Sequence, residues 1–418
     1  MLDIAYIREN VEEVQANCKA RNVSCDIEAL LASDEQRRAM QQELDGLRAQ
    51  QKAQPKGKPS PDALEQMKAL SSNISEKEGT LREIMNTYTA LLASVPNRMH
   101  PDSPVGEEDA YVVVSTKGEM PAFSFTPKDH EELLSASDML DFERGAKVTG
   151  SKFYFAKGDL VRLNMGLLQY GLDIAEKHGF LPIETPDMAK ESILMGAGFN
   201  PRGEEDQIYT VENTDLALIG TAEITTLGLH ANEIMDLSNG PVKYAAISHC
   251  YRKESGAYGR TSKGLYRVHQ FTKLELFVFC KKEESEAMHR ELLAIEKEIC
   301  DGLEFPYRVI DIPSADLGAP AYRKYDIEAL MVMNGDENNV AGYGEITSTS
   351  NCTDYQARRL QIRHKNDEGK TEFVHTLNGT AIVLSRFPIA LVENFQQEDG
   401  RIKLPAVLAK YVGKEYIG

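Results

Sequence analysis

The sequence predicts an α+β protein: an antiparallel sheet with flanking helices, carried behind an N-terminal antiparallel two-helix coiled-coil arm. Three observations predict it. Apolar residues recur every seven positions through residues 67–95, on the far side of a Pro/Gly-rich break from an earlier helical run. Beyond residue 108 short alternating runs read as strands, and they are interspersed with longer helical patterns rather than strictly alternating with them. Between the two regions lies VPNRMHPDSPVGEE, Val95 to Glu108, a Pro-rich linker that divides the chain into domains 1–104 and 105–418.

Taken in order, residues 1–20 read as one short helix with Asp3 as N-cap and Ile4, Ile7, Val11 and Val14 on one face. A longer helix begins at Asp26, with Ile27, Leu30, Leu31, Met40, Leu44 and Leu47 as its stripe. It stops in QQKAQPKGKPSPD, where proline removes a donor and clashes with the preceding turn. In the next helix Met67, Ile74, Leu81, Tyr88 and Val95 form one seam and Leu70, Ile84 and Leu91 the interleaved set, with Lys77 interrupting it. Two such helices joined by a short turn bury their stripes by pairing antiparallel, as an arm on the order of 40 Å long. Near its tip stand Arg48, Lys52, Lys56 and Lys58, with no acidic residue between Asp45 and Asp62. A solvated coiled-coil surface and a polyanion contact both explain this patch. In the second domain helices are expected near 128–143, 157–178, 283–302 and 380–396. Strands are expected near 111–115, 207–211, 244–251, 265–279, 307–312, 339–349 and 372–375.

The stretch ISHCYRKESGAYGRTSKGLYRVHQFTKLELFVF, Ile247 to Phe279, reads as a long-looped hairpin whose loop holds Gly256, Gly259 and Gly264. In its second arm Tyr266, Val268, Gln270, Thr272, Leu274, Leu276 and Val278 point one way. Arg267, His269, Phe271, Lys273, Glu275 and Phe277 point the other. In the first arm Arg252 and Glu254 share a face by the same rule. Such a face is either the floor for a charged, planar ligand or a solvated sheet face with cross-strand ion pairs. Arg260 and Lys263 among the loop glycines favour phosphate. Phe271 and Glu275 would lie roughly 13 Å apart along the strand.

Composition narrows the classes. A 418-residue chain with 42% hydrophobic and 27% charged residues is globular and larger than one small core. The start MLDIAYIRENVEEV has acidic residues where a signal peptide needs a basic end, and no run reaches the length of a membrane span. Six scattered cysteines without a CxxC pair fit a reducing compartment, so a cytoplasmic protein is expected. A net charge of −18 speaks against nucleic acid as an average, although a local basic patch can still govern docking.

Several phosphate motifs fail. Gly369-Lys370-Thr371 lacks the upstream P-loop glycine, because His364 stands there, and Gly196-Ala197-Gly198 lacks the third glycine of a dinucleotide fingerprint. Three other clusters carry chemistry. Thr221-Ala222-Glu223 puts a hydroxyl and a carboxylate on one face of a strand. Glu345 and Ser348, in YGEITSTSN, offer oxygen ligands suited to Mg²⁺, but their odd spacing requires a β-bulge for both to reach one ion. HTLNGTAIVLSR enters an apolar helix, leaving Arg386 as a buried cation that needs a partner or a planar base to stack on. Each cluster taken singly has an ordinary structural explanation.

Together, the order TAE, RKES-loop-VHQFTKLE, EITSTSN and HTLNGT…R, behind a helical hairpin and TPKDHEELLSASDMLDFERGAKVTGSKFYF, closely resembles the seryl-tRNA synthetases over essentially the whole chain. The resemblance implies a class II catalytic domain with three signature motifs, the first near Gly179 to Met188 with Pro186 at a homodimer interface. It implies ATP and Mg²⁺, with ATP held by Arg252, Lys253, Glu254, Val268, Phe271, Arg386 and the run Glu345, Ile346, Thr347 and Ser348. Arg252 would meet the α-phosphate, Glu254 the adenine amino group, and Phe271 and Arg386 the two faces of the base. Glu345 and Ser348 would ligate the metal. Serine would sit against Thr221, Ala222, Glu223, Arg252, Glu275 and Thr380. The implied activity is a serine–tRNA ligase (AMP and diphosphate forming) for tRNA(Ser), and for tRNA(Sec) where a cell has one. Related synthetases often append an anticodon-binding domain after the third motif. With the sequence ending soon after Arg386, the arm is expected to read tRNA through Arg48, Lys52, Lys56 and Lys58. The alternatives are a paralogue that adenylates an amino acid for a carrier protein or a special pathway, and a non-charging RNA-binding homologue.

Overall fold

The computed structural model describes residues 1–53, 60–119, 121–199, 207–254 and 263–418. Contacts divide the chain into two compact units, Met1–Arg98 and Met99–Gly418. The break falls slightly before the expected boundary at 104. The proline-rich segment after Arg98 bonds into the second unit, with the His100 amide donating to the Tyr322 carbonyl at 2.8 Å and the Ser314 amide to Pro104 at 2.8 Å. Among the described residues no helix is long and apolar enough to cross a membrane. None of the six cysteines is joined in a disulfide.

In the first unit the expected helix over 1–20 is two, Ile4–Glu9 and Val11–Ala20. Asp3 caps the first by accepting from the Ala5 amide at 2.8 Å. Asn10 interrupts, its side chain donating back to the Tyr6 carbonyl at 2.9 Å, the local bonding that makes asparagine a boundary residue. The long pair spans Ile27–Lys52 and Pro61–Ser94. Asp26 caps one by accepting from Ala29 at 2.8 Å, and Ser60 the other from Ala63 at 3.2 Å, ahead of a proline in the first turn. Leu44, Ile74 and Leu92 are buried between them, whereas Met67 is 40% exposed. Lys77, which interrupts the heptad seam, forms an ion pair with Glu43 of the facing helix at 2.8 Å.

The second unit is built on an eight-stranded sheet: β1 Val112–Lys117, β2 Leu181–Glu184, β3 Val242–Tyr251, β4 Gln270–Cys280, β5 Tyr307–Asp311, β6 Arg323–Met331, β7 Gly342–Thr353 and β8 His375–Val383. Their order across the sheet is β1-β5-β6-β7-β8-β4-β3-β2, antiparallel throughout except for the β2–β3 edge pair. Helices Asp159–Lys177 and Ser285–Leu303 pack against it. Gly171 permits the first approach, since a Cβ there would stand 2.7 Å from Ile382 and 2.9 Å from Leu274.

Several expected elements differ. Residues 207–211 form no strand, only an isolated bridge between Thr210 and Ala217. The strands β2 and β6 have no counterpart among the expected strands. The C-terminal apolar run expected as one helix over 380–396 is the central strand β8 followed by a shorter helix, Phe387–Asn394. A strand buried on both faces has no polar alternation to betray it, so its sequence resembles a buried helix. Thr221-Ala222-Glu223 is no strand either. Thr221 N-caps the helix Ala222–Leu229, its hydroxyl accepting from the Glu223 amide at 3.3 Å. The hairpin arm ends at Tyr251, so Arg252 and Glu254 are not related by strand alternation, and Glu254 adopts a left-handed φ of 47°. Tyr266 likewise precedes β4, in a 3₁₀ turn at Gly264–Tyr266.

Candidate active site

The site begins on β4. Phe271, Lys273 and Glu275 share one face of that strand, opposite Cys250, Ser248 and Ala246 of β3. Just beyond the end of β3 the Arg252 amide donates to the His269 carbonyl at 3.0 Å, which extends the pairing and brings Arg252 over the same face. Its guanidinium donates to the Gly220 carbonyl at 3.3 and 3.4 Å and lies 5.3 Å from the Phe271 ring centre. The Lys253 amide donates to Gln207 at 2.9 Å. Glu254 pairs with Arg267 at 3.0 Å.

The opposite wall comes from β7 and the start of the helix Phe387–Asn394. Arg386, the N-cap residue of Phe387–Asn394, lies 4.7 Å over the Tyr266 ring and pairs with the Glu345 carboxylate at 3.0 Å. The same guanidinium and the Tyr266 hydroxyl both donate to the Glu345 carbonyl, at 3.0 and 3.2 Å. Burial raises the Glu345 pKa, but Arg386, Lys324 and Arg252 outweigh it and hold the carboxyl below its usual range. Along β7 the pairing shifts from Ile327↔Thr347 to Glu328↔Glu345, leaving Ile346 as an extra residue. This bulge re-aims the strand so that Glu345 and Ser348 line one cleft despite their odd spacing. Thr347 turns away from the cleft, its hydroxyl donating to the buried Glu296 at 3.1 Å.

At the floor, Lys273 forms an ion pair with Glu275. Thr380 pairs with Glu275 across β8 and β4, and burial raises the Glu275 pKa against the opposing pull of Lys273, Arg252 and the Thr221 hydroxyl. Glu223 is almost wholly buried and accepts from Gln356 at 2.6 Å and Asn378 at 3.1 Å. Burial, reinforced by the neighbouring charge of Glu275, pushes its pKa up to about 7. Ala222 is buried in the first turn of its helix.

One cleft therefore gathers Arg252, Glu254, Val268, Phe271, Glu345, Ile346, Ser348, Thr380 and Arg386 from four separated stretches of sequence. Tyr266 and Lys273 line it too, and no sequence motif assigned them a role. The signal for Lys273 was present, as it alternates with Phe271 and Glu275. Gln356 and Asn378 gave no sign, because their relation to Glu223 exists only after folding. In the first unit Arg48 pairs with Glu78 at 2.8 Å and Lys52 is exposed in the last turn of its helix. Lys56 and Lys58, and the loop residues Gly256, Gly259 and Arg260, lie outside the described residues.

Residues 1–99 match the family model of the seryl-tRNA synthetase N-terminal domain, and residues 209–395 that of the tRNA synthetase class II core domain (G, H, P, S and T). The chain is 49% identical over 427 residues to a serine–tRNA ligase of Treponema denticola, covering 100% of both chains. It is likewise 49% identical over 426 residues to that of Rubrobacter xylanophilus, covering 100% of this chain and 99% of the relative. Its structure is similar to the seryl-tRNA synthetase of Pyrococcus horikoshii solved with ATP, at a TM-score of 0.88 and 36% identity, over 100% of this chain and 99% of the other. With the whole chain matched at that identity and its cleft built on an antiparallel class II core, the protein belongs to the seryl-tRNA synthetase family.

Proposed function

We propose that the cleft activates L-serine with ATP and transfers the seryl group to the 3′ end of tRNA(Ser), and of tRNA(Sec) where a cell has one. The observation that carries this reading is the single face of β4, with an aromatic ring at Phe271, a carboxylate at Glu275 and Lys273 between them. Adenine stacks between Phe271 and Arg386, and Glu254 accepts from its amino group. Serine occupies the other end, its ammonium against Glu223 and Glu275 and its hydroxyl near Thr221 and Thr380. A carboxylate oxygen of serine attacks the α-phosphorus of ATP, diphosphate leaves, and seryl-adenylate forms. Arg252 stands where negative charge gathers in that step, so catalysis is positioning and electrostatics with no side-chain nucleophile. A ribose hydroxyl of the terminal adenosine then attacks the acyl carbon and AMP departs.

The donor set fits Mg²⁺. Glu345 and Ser348 present hard oxygens to the cleft, and behind Ser348 the buried Asp326 keeps one carboxylate oxygen without a hydrogen-bond partner. Among the described residues no three His, Cys, Asp or Glu side chains are grouped to hold a metal unaided. The two ligands thus suit an ion that takes the rest of its shell from phosphate and water. When bound, Mg²⁺ neutralises charge on the phosphates.

The basic arm tip, with Arg48, Lys52, Lys56 and Lys58, contacts the backbone of the tRNA. Two catalytic units pair as a homodimer through the region around Pro186, on either side of which Leu181 and Met188 are exposed apolar side chains. The setting is the cytoplasm. The test is serine-dependent ATP–diphosphate exchange followed by charging of tRNA(Ser). Absence of exchange refutes the reading, and exchange without charging points to a carrier protein as acceptor.

A further inference from the structure

A buried polar node lies behind the nucleotide end of the cleft. His130 and Glu393 are both fully buried, on the helices His130–Ala136 and Phe387–Asn394. The imidazole Nδ1 lies 2.8 Å from Glu393 Oε1, which also accepts from the His130 amide at 2.9 Å. Glu393 Oε2 accepts from the Met333 amide at 3.0 Å. The other ring nitrogen, Nε2, accepts from the backbone amide of Leu265 at 3.0 Å. Since Nε2 accepts, the ring proton sits on Nδ1 and is donated to Glu393, one fixed tautomer with both nitrogens used. The accepting nitrogen is bonded to the amide of the residue next to Tyr266.

Tyr266 lies under Arg386 and donates to the Glu345 carbonyl, so its place sets the wall of the adenine site. The chain is shaped to reach His130. Gly264 has φ +57°, and a Cβ there would stand 2.1 Å from His130 Nε2. Lys263 forms an ion pair with Asp129, the residue before the histidine. The geometry points to His130 as a positioning residue for ATP, holding the Leu265 amide so that Tyr266 and Arg386 present a preformed wall to the base. This rests on the adenylate-forming reading above, and it adds a residue that touches no substrate.

The experiment measures ATP affinity by titration calorimetry, and the KM values for ATP and serine in diphosphate exchange, on the full chain and its variants. His130→Ala removes the acceptor for Leu265 and weakens ATP binding by about tenfold, the scale of one buried hydrogen bond. The KM for serine stays within about twofold, a split that general loosening of the fold does not produce. His130→Gln restores an acceptor at the Nε2 position and recovers ATP affinity to within about threefold of the parent. Should His130→Ala fail to fold, Gly264→Ala serves, because it leaves His130 and Glu393 intact while displacing the Leu265 segment, and it gives the same ATP-selective loss. Unchanged ATP affinity in the alanine variants, equal losses for ATP and serine, or no recovery with glutamine overturns the inference. A parent chain that binds ATP yet catalyses no serine-dependent exchange refutes the proposed function instead, and the calorimetric comparison still decides the role of His130.

Discussion

Glu275 and Glu223 show how two carboxylates in one buried corner acquire different properties. Glu275 has Lys273 beside it, whereas Glu223 has only neutral donors, Gln356 and Asn378, on its accepting oxygen. Replacing Glu275 by Ala is expected to raise the KM for serine by about 10- to 100-fold, the value of a charge-assisted hydrogen bond, with the KM for ATP little changed. Exchange kinetics at varied serine and ATP check this, and equal losses would place Glu275 outside the serine pocket. Glu223, raised from its ordinary 4.5 to about 7, is largely neutral at pH 6 and ionised at pH 8. An ammonium ligand prefers the ionised form, so the KM for serine falls as pH rises through 7, and Glu223→Gln removes that dependence. Folding has the opposite sign. The raised pKa favours the protonated native state, so this contribution to stability is full below pH 4.5 and lost as pH rises through about 7. Melting curves of the parent and Glu223→Gln across that window test it. At this scale the period-2 rule is enough to place Phe271, Lys273 and Glu275 on one face, because a strand allows nothing else. It fails for Arg252 and Glu254, where the strand has ended and Glu254 has turned left-handed.

Among the elements, the paired helices of the first unit were the most legible. Their caps at Asp26 and Ser60, their proline start and their apolar seam are all local features. Even the lysine that breaks the seam follows a simple rule, as Lys77 meets Glu43 at the edge of the helix contact. Neutralising Lys52, Lys56 and Lys58 together is expected to weaken tRNA binding and to lower the steepness of its salt dependence by about two to three charges. Filter binding at several salt concentrations measures this, while diphosphate exchange without tRNA stays at the parent rate. Unchanged charging kinetics would remove the arm from tRNA recognition. The strand β8 was the least legible element, since full burial erases the alternation that marks a half-exposed strand. The bulge in β7 stands between these cases. Its need followed from the spacing of Glu345 and Ser348, but its place at Ile346 is decided by pairing with β6.

On the scale of the molecule, the cleft depends on how closely helices approach the sheet beneath it. Gly171 faces Leu274 and Ile382, both fully buried, with no room for another atom. Gly171→Val is expected to destabilise the catalytic unit by about 2 kcal/mol or more through overpacking, seen as a lower Tm and loss of exchange activity at a lower temperature. A helix-propensity argument alone would expect the glycine to be the weaker residue there. The sequence by itself determined the helical hairpin, the strands of the central hairpin and the kinship of the chain. These rest on local periodicity, on proline and glycine geometry, and on motifs held within short stretches. Only the tertiary structure decided that Gln356 and Asn378 hold Glu223, that Arg386 finds Glu345 as its partner, and that His130 reaches Leu265. Those contacts join residues far apart in the chain, and no local rule specifies a distance until the sheet has brought its strands into register.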